Sequence, residues 1–254
     1  MGTSSRLPGP KNAGWTGAKN RLSRWTPDAS SRPDRLVPAD RQRGEVIAAR
    51  YQQALRDALS TDPEAFGIQA AAKQAGERLV ELLDDLGRAQ ASPAANLRTQ
   101  GDADEFVRRF VGHVAGDGQL IVDAAIRRAA RRVAENLAVP GGPLSEANHP
   151  ARLTGELFCA LYQTFFGEMV GEFVHILIAE NVKLAMPALI ILDPTDVVAD
   201  FVAEQVVRVL PSPCAEATRR GPESAPLADV ARGLLATTVT AALGLAGSEL
   251  ELAA

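Results

Sequence analysis

The sequence predicts an all-α fold, a multi-helix bundle of about seven helices with a disordered N-terminal tail, and three observations predict it. Apolar residues recur at spacings of three and four through most of the chain. No stretch alternates with the period of two that a half-buried strand needs, and no hairpin signal joins two such runs. Ala, Leu and Val carry the apolar load while aromatics make up only 5%, which favours helices in close contact through small side chains. The 254 residues, 46% of them apolar, suffice for a sizeable core in one domain or two small ones.

Each element has its own local reason. Residues 1–44 are rich in Pro, Gly, Ser and Arg without apolar periodicity, and they read as a disordered basic tail. From Glu45, the recurrence of Ile47, Tyr51, Ala54 and Ala58 predicts a first helix. Asp62-Pro63 then supplies an N-cap and a first-turn proline. The helix behind it carries Ile68, Ala72, Ala75, Leu79, Leu82 and Leu86 as a bundle seam. After a loop over 91–101, Asp102 starts a helix with Phe106, Val107, Phe110 and Val114 on one side. Gly116-Asp117-Gly118 interrupts it, and residues 119–138 continue with Val122, Ile126, Ala129, Val133 and Leu137 in one stripe.

PGGPLSEANHP, 140–150, divides an N-terminal half (45–139) from a C-terminal half (150–247), and the two are expected to pack as one domain. A long apolar helix follows over about 152–186, disturbed at Pro187, with 188–192 as a kinked or extended continuation. Asp193-Pro194 caps a helix through Leu210, residues 211–226 read as a loop, and Ser224 caps a last helix with Leu227, Val230, Leu234, Thr238 and Leu245 inward.

Charge is unevenly placed. Residues 1–44 hold nine Lys/Arg against three Asp/Glu, and residues 45–254 hold eighteen against twenty-eight, so a basic tail precedes an acidic body. Cys159 and Cys214 form no CxxC pair, which predicts no disulfide framework and a reducing cytoplasm. The first forty residues contain no apolar signal-type core. The apolar run 157–192 is interrupted by Glu168, Glu172, His175, Glu180, Lys183 and Pro187, too many breaks for a membrane span.

Three groups of side chains are candidates for function. Glu168, Glu172 and His175 lie within about 60° of one another on the long apolar helix. The Glu172-x-x-His175 spacing is one half of a di-metal carboxylate motif, which would hold iron, manganese or zinc. His113 and His149 lack a carboxylate three residues earlier, so the second half is missing. The competing expectation is that these carboxylates meet guanidinium groups. Arg127, Arg128, Arg131 and Arg132 can supply them across a subunit interface, with Asp123–Arg127 and Arg131–Glu135 pairing inside their own helix. The third group is Trp15, Arg21, Arg24 and Trp25, where basic residues interleave with aromatics as at sites for nucleic acid or an acidic partner. Glu105, Arg109, His113 and Asp117 read as a charge ladder, and Asp196, Asp200 and Glu204 as a solvated acidic stripe.

No Walker A loop, GxGxxG, GxSxG or HExxH is present, and no catalytic residue is assigned. The reading is a cytoplasmic, non-enzymatic helical interaction protein that self-associates and captures an acidic partner with a basic arm. The alternatives are a helical-bundle metalloprotein or oxidoreductase, and a nucleic-acid-associated regulator.

Overall fold

Helix-forming side chains at spacings of three and four fold as their periodicity demands. The computed structural model describes residues 8–32, 34–88, 100–118, 120–138, 153–181, 192–221 and 225–245, and these are predominantly helical. Among them run α1 (Ala13–Leu22), α2 (Pro38–Thr61), α3 (Ile68–Arg88), α4 (Gln100–Ala115), α5 (Ile121–Ala138), α6 (Gly155–Asn181), α7 (Pro194–Val209), α8 (Pro213–Arg220) and α9 (Leu227–Ala242). No strand forms among the described residues beyond an isolated bridge between Arg32 and Arg35. None of these helices is long and apolar enough to cross a membrane.

Seven of the nine answer to the predicted helices, and α1 and α8 are additional. Helix α1 lies within the expected tail, so disorder does not extend over 8–32 or 34–44. Asn12 nucleates α1: its Oδ1 accepts from Trp15 N at 2.8 Å, while its Nδ2 donates to Ala54 O on α2 at 2.7 Å. Trp15, Ala18 and Leu22, at helical spacing, are buried, and Trp15 meets Tyr51 of α2 edge-on with centroids 4.7 Å apart. Three buried residues in ten are too few for a periodicity to stand out from a polar composition.

Helix α2 begins at Pro38 rather than near Glu45, with proline in the position that needs no N–H donor. Asp62-Pro63 does not start α3. Asp62 Oδ1 accepts from Glu64 N at 3.2 Å, a 3₁₀ turn covers Ala65–Gly67, and Phe66 and Gly67 both have φ of +64°. The left-handed pair turns the chain before α3, and Phe66 is packed edge-on against Phe173 at 5.6 Å. The α3 seam is as predicted: Ile68, Ala72, Ala75 and Leu79 are buried, with Leu82 and Leu86 packed against the core. Helix α8 replaces part of the loop expected over 211–226. Ser212 Oγ accepts from Ala215 N at 3.4 Å and Pro213 opens the helix, the same Asp/Ser-Pro device that starts α7, where Asp193 Oδ1 accepts from Thr195 N at 2.8 Å.

Cys159 of α6 and Cys214 of α8 form a disulfide, with Cα atoms 6.1 Å apart, which overturns the expectation of two separate thiols. Their 55-residue separation left no sequence signal; packing of α8 on α6 brings them together.

Helix α6 is the centre of the bundle, in contact with α3, α5, α7, α8 and α9. Its closest neighbour is α7, and Gly167 and Gly171 are why. A Cβ on Gly171 would stand 2.7 Å from Ala199 O, and one on Gly167 would stand 2.9 Å from Ala203 O. A small-residue pair four apart on α6 therefore faces Ala199 and Ala203, also four apart, on α7. The helices of the two expected halves interleave, α2 on α7, α3 on α9 and α5 on α6, around one apolar cluster. The 140–150 divider, most of the 91–101 loop, the Pro187 kink and Ser224 lie outside the described residues.

Candidate functional site

The close α6–α7 packing sets a polar seam along the outer edge of the bundle core. Glu168, Glu172 and His175 follow Gly167 and Gly171 along α6, so their side chains emerge beside α7 and beneath α5. Glu172 is the most enclosed of them, its side chain only 6% exposed. Two guanidinium groups of α5 reach it: Arg128 Nη1 donates to Oε2 at 3.1 Å, and Arg132 Nη2 pairs with Oε1 at 3.1 Å. Arg132 Nη1 also donates to Glu168 Oε2 at 2.8 Å and to Asp200 Oδ1 of α7 at 3.3 Å. One arginine thus joins three carboxylates on two helices. His175 Nδ1 pairs with Asp196 Oδ1 at 3.1 Å.

The electrostatics follow from depth and partner. Burial raises the Glu168 carboxyl above its ordinary range, against the pull of Arg132. Burial also works against the Arg132 charge, but Glu168, Glu172 and Asp200 outweigh it and raise the guanidinium further. The hydrogen bond to Asp196 raises His175 despite partial burial, and the same bond lowers Asp196.

This seam corrects several expectations. The arginines meeting Glu168 and Glu172 belong to the same chain, so no subunit interface is needed to neutralise them. The Glu172-x-x-His175 spacing serves ion pairing: the carboxylates face guanidinium groups and the imidazole faces a single aspartate. Among the described residues no group of three or more His, Cys, Asp or Glu comes together as a set of metal ligands. Among those residues the iron, manganese or zinc reading has Glu168, Glu172 and His175 engaged with Arg128, Arg132 and Asp196. Asp196, Asp200 and Glu204 are not merely solvated; they pair with His175, with Arg132, and with Arg41 and Arg208.

Arg127 and Arg131 have other surroundings. Arg127 Nη1 donates to Gly118 O at 2.6 Å, and Asp123 accepts from Leu120 N at 2.6 Å at the start of α5, so the expected Asp123–Arg127 pair is replaced by two loop contacts. Arg131 and Glu135 are exposed and form no salt bridge among the described residues. In the ladder on α4, Arg109 pairs with Glu105 at 2.6 Å, whereas His113 turns to Glu81 of α3 at 4.0 Å.

The N-terminal candidates divide in two. Trp15 and Trp25 are buried and cannot meet a partner. Trp25 Nε1 donates to Asp40 Oδ1 at 3.1 Å, and Asp40 Oδ2 accepts from Asp28 N at 2.8 Å and Ser31 Oγ at 2.6 Å. Burial opposes the Asp40 charge, yet the bonds from Ser31, Trp25 and Asp28 hold its carboxyl below the usual range. Asp40 is the residue that organises this segment, and its signal was readable: a carboxylate in the first turn after Pro38.

Arg21 and Arg24, by contrast, line a groove of about 800 Å³ between α1 and the first half of α2, with Arg43, Gly17, Val46 and Ile47. Val46 is 45% exposed on its floor. No acidic residue lines the groove, and Arg21, Arg24 and Arg43 form no salt bridge among the described residues. Arg43 and Val46 were not candidates from sequence, because only the docking of α1 places them beside Arg21 and Arg24. No protein-family model matches this chain, and no curated protein or solved structure shows a significant match to it.

Proposed function

We propose that this chain is a non-enzymatic helical interaction protein that self-associates, and that the α1–α2 groove captures an acidic segment of its partner. The observation that carries the reading is the convergence of Arg21, Arg24 and Arg43, without salt-bridge partners among the described residues, around the exposed Val46. A cationic groove with an apolar floor suits a segment that brings both acidic and apolar residues. A protein segment fits better than single-stranded nucleic acid, which relies on aromatic platforms for its bases; Trp15 and Trp25 are buried in this fold. A second copy is the partner to test first, since residues 45–254 carry twenty-eight Asp/Glu against eighteen Lys/Arg. A compartment in which Cys159–Cys214 persists suits the chain better than a reducing cytoplasm.

Sedimentation of the full chain across a salt series tests this reading, alongside titration with a glutamate-rich amphipathic peptide and a single-stranded oligonucleotide. The expected result is a larger-than-monomer species and peptide binding, both weakened by salt and both lost in Arg21→Glu/Arg24→Glu/Arg43→Glu with helicity retained. Unchanged sedimentation and peptide binding in that variant overturn the groove. Tighter binding of the oligonucleotide than of the peptide overturns the choice of partner.

A further inference from the structure

A second concavity lies three turns along α2 from the basic groove. There α2, α6, α7 and the end of α9 meet around a cleft of about 470 Å³, within the range of small-ligand sites between bundle helices. Its floor is formed by Leu55, Val170, Val206, Ala242 and Leu243, each at most 4% exposed. Its rim carries Gln52, Gln205 and Arg56.

The rim is arranged by tertiary contacts. Gln52 Nε2 donates to Val202 O at 3.3 Å, and Gln205 Nε2 donates to Glu45 O at 3.3 Å. Both amides use donors to tie α2 and α7 together, which directs their oxygens to act as acceptors. Arg56 forms no hydrogen bond or ion pair among the described residues and lies over Gly244, where a Cβ would stand 3.0 Å from its Nε. Gly244 has φ of +74°, so conformation and space both call for glycine there. Arg208, the other cation at the cleft, is already paired with Glu204 at 3.4 Å.

We infer that this cleft binds a small monocarboxylate with an aliphatic body, the carboxylate on Arg56 and the body on the Leu55–Val170–Leu243 floor. One uncommitted guanidinium matches one negative charge and can take a carboxylate through two parallel hydrogen bonds. A dianion is poorly matched, because Glu204 neutralises Arg208 and the glutamine oxygens add negative dipoles at the rim. Those oxygens accept a hydroxyl or amide N–H carried on the ligand's body. A neutral aliphatic molecule would leave the charge complementarity unused.

Calorimetric titration of the full chain with decanoate, with decanol as the neutral control, tests the site. Saturable binding of decanoate, at least tenfold tighter than decanol and at least tenfold weaker in Arg56→Gln, is the expected result. Arg56 is exposed and without a bonded partner among the described residues, so the variant keeps its fold. Absence of saturable decanoate binding, equal affinity for decanol, or unchanged affinity in Arg56→Gln overturns the inference.

Discussion

Glu172 illustrates why a carboxylate can sit in an apolar helix. A nearly enclosed charge is costly alone and tolerable when its oxygens are met, and Arg128 and Arg132 each take one. Removing both arginines by Arg128→Ala/Arg132→Ala leaves that charge without its partners and should cost about 3–5 kcal/mol in urea unfolding. Adding Glu172→Met to the double variant should recover most of the loss, because the charge itself then disappears. A triple variant no more stable than the double would show that the arginines act by packing alone.

His175 and Asp196 set a pH dependence whose sign follows from their shifts. His175 is raised above its ordinary 6.5, so its contribution is fully present below that value and is lost as pH rises through the folded value. Asp196 is lowered below its ordinary 3.8, so its contribution is present above 3.8 and is lost as pH falls through the folded value. The pair therefore stabilises most between these ordinary values. The Tm difference between the native chain and Asp196→Asn should be greatest near pH 5–6 and shrink toward pH 9. A difference that grows with alkaline pH would contradict the pairing. Glu168 runs the other way, since its raised carboxyl disfavours folding once ionised.

Among the elements, the α6–α7 pair depends most on small residues. Backbone carbonyls of α7 face Gly167 and Gly171, and a carbonyl in a helix cannot rotate away as a side chain would. Gly171→Val should destabilise by about 3 kcal/mol in the same urea assay. Gly233 is the contrast within α9: nothing lies within 4 Å of its would-be Cβ. Gly233→Ala should stabilise by about 0.5–1 kcal/mol through helix propensity. Equal effects at the two sites would mean that close approach is not what Gly171 serves. Both glycines were visible in the sequence; which one faces a neighbour was not.

For the whole molecule, the Cys159–Cys214 bond constrains the unfolded chain across 55 residues. Reduction should cost about 2–4 kcal/mol, and a drop of about 4–16 °C in Tm by calorimetry would report it. Cys159→Ser/Cys214→Ser should start at the lower Tm and show no response to reductant. A native Tm indifferent to reductant would rule out a stabilising bridge.

The sequence by itself determined the helices: the α3 seam, the α5 stripe, the Asp193-Pro194 start of α7 and the interruption after Ala115 all followed from hydrogen bonds and side-chain rows spanning four residues or fewer. Helix α8 was equally legible, since Ser212-Pro213 repeats the start of α7. Tertiary structure alone decided that α1 folds, because its three buried residues gain a core only once Tyr51 and Ala54 stand beneath them. It also decided which arginines meet Glu168 and Glu172, that Cys159 meets Cys214, and that Arg21, Arg24, Arg43 and Arg56 form no salt bridge among the described residues. Those outcomes depend on helices far apart in the chain coming within a few ångströms of one another, and local spacing carries no record of that distance.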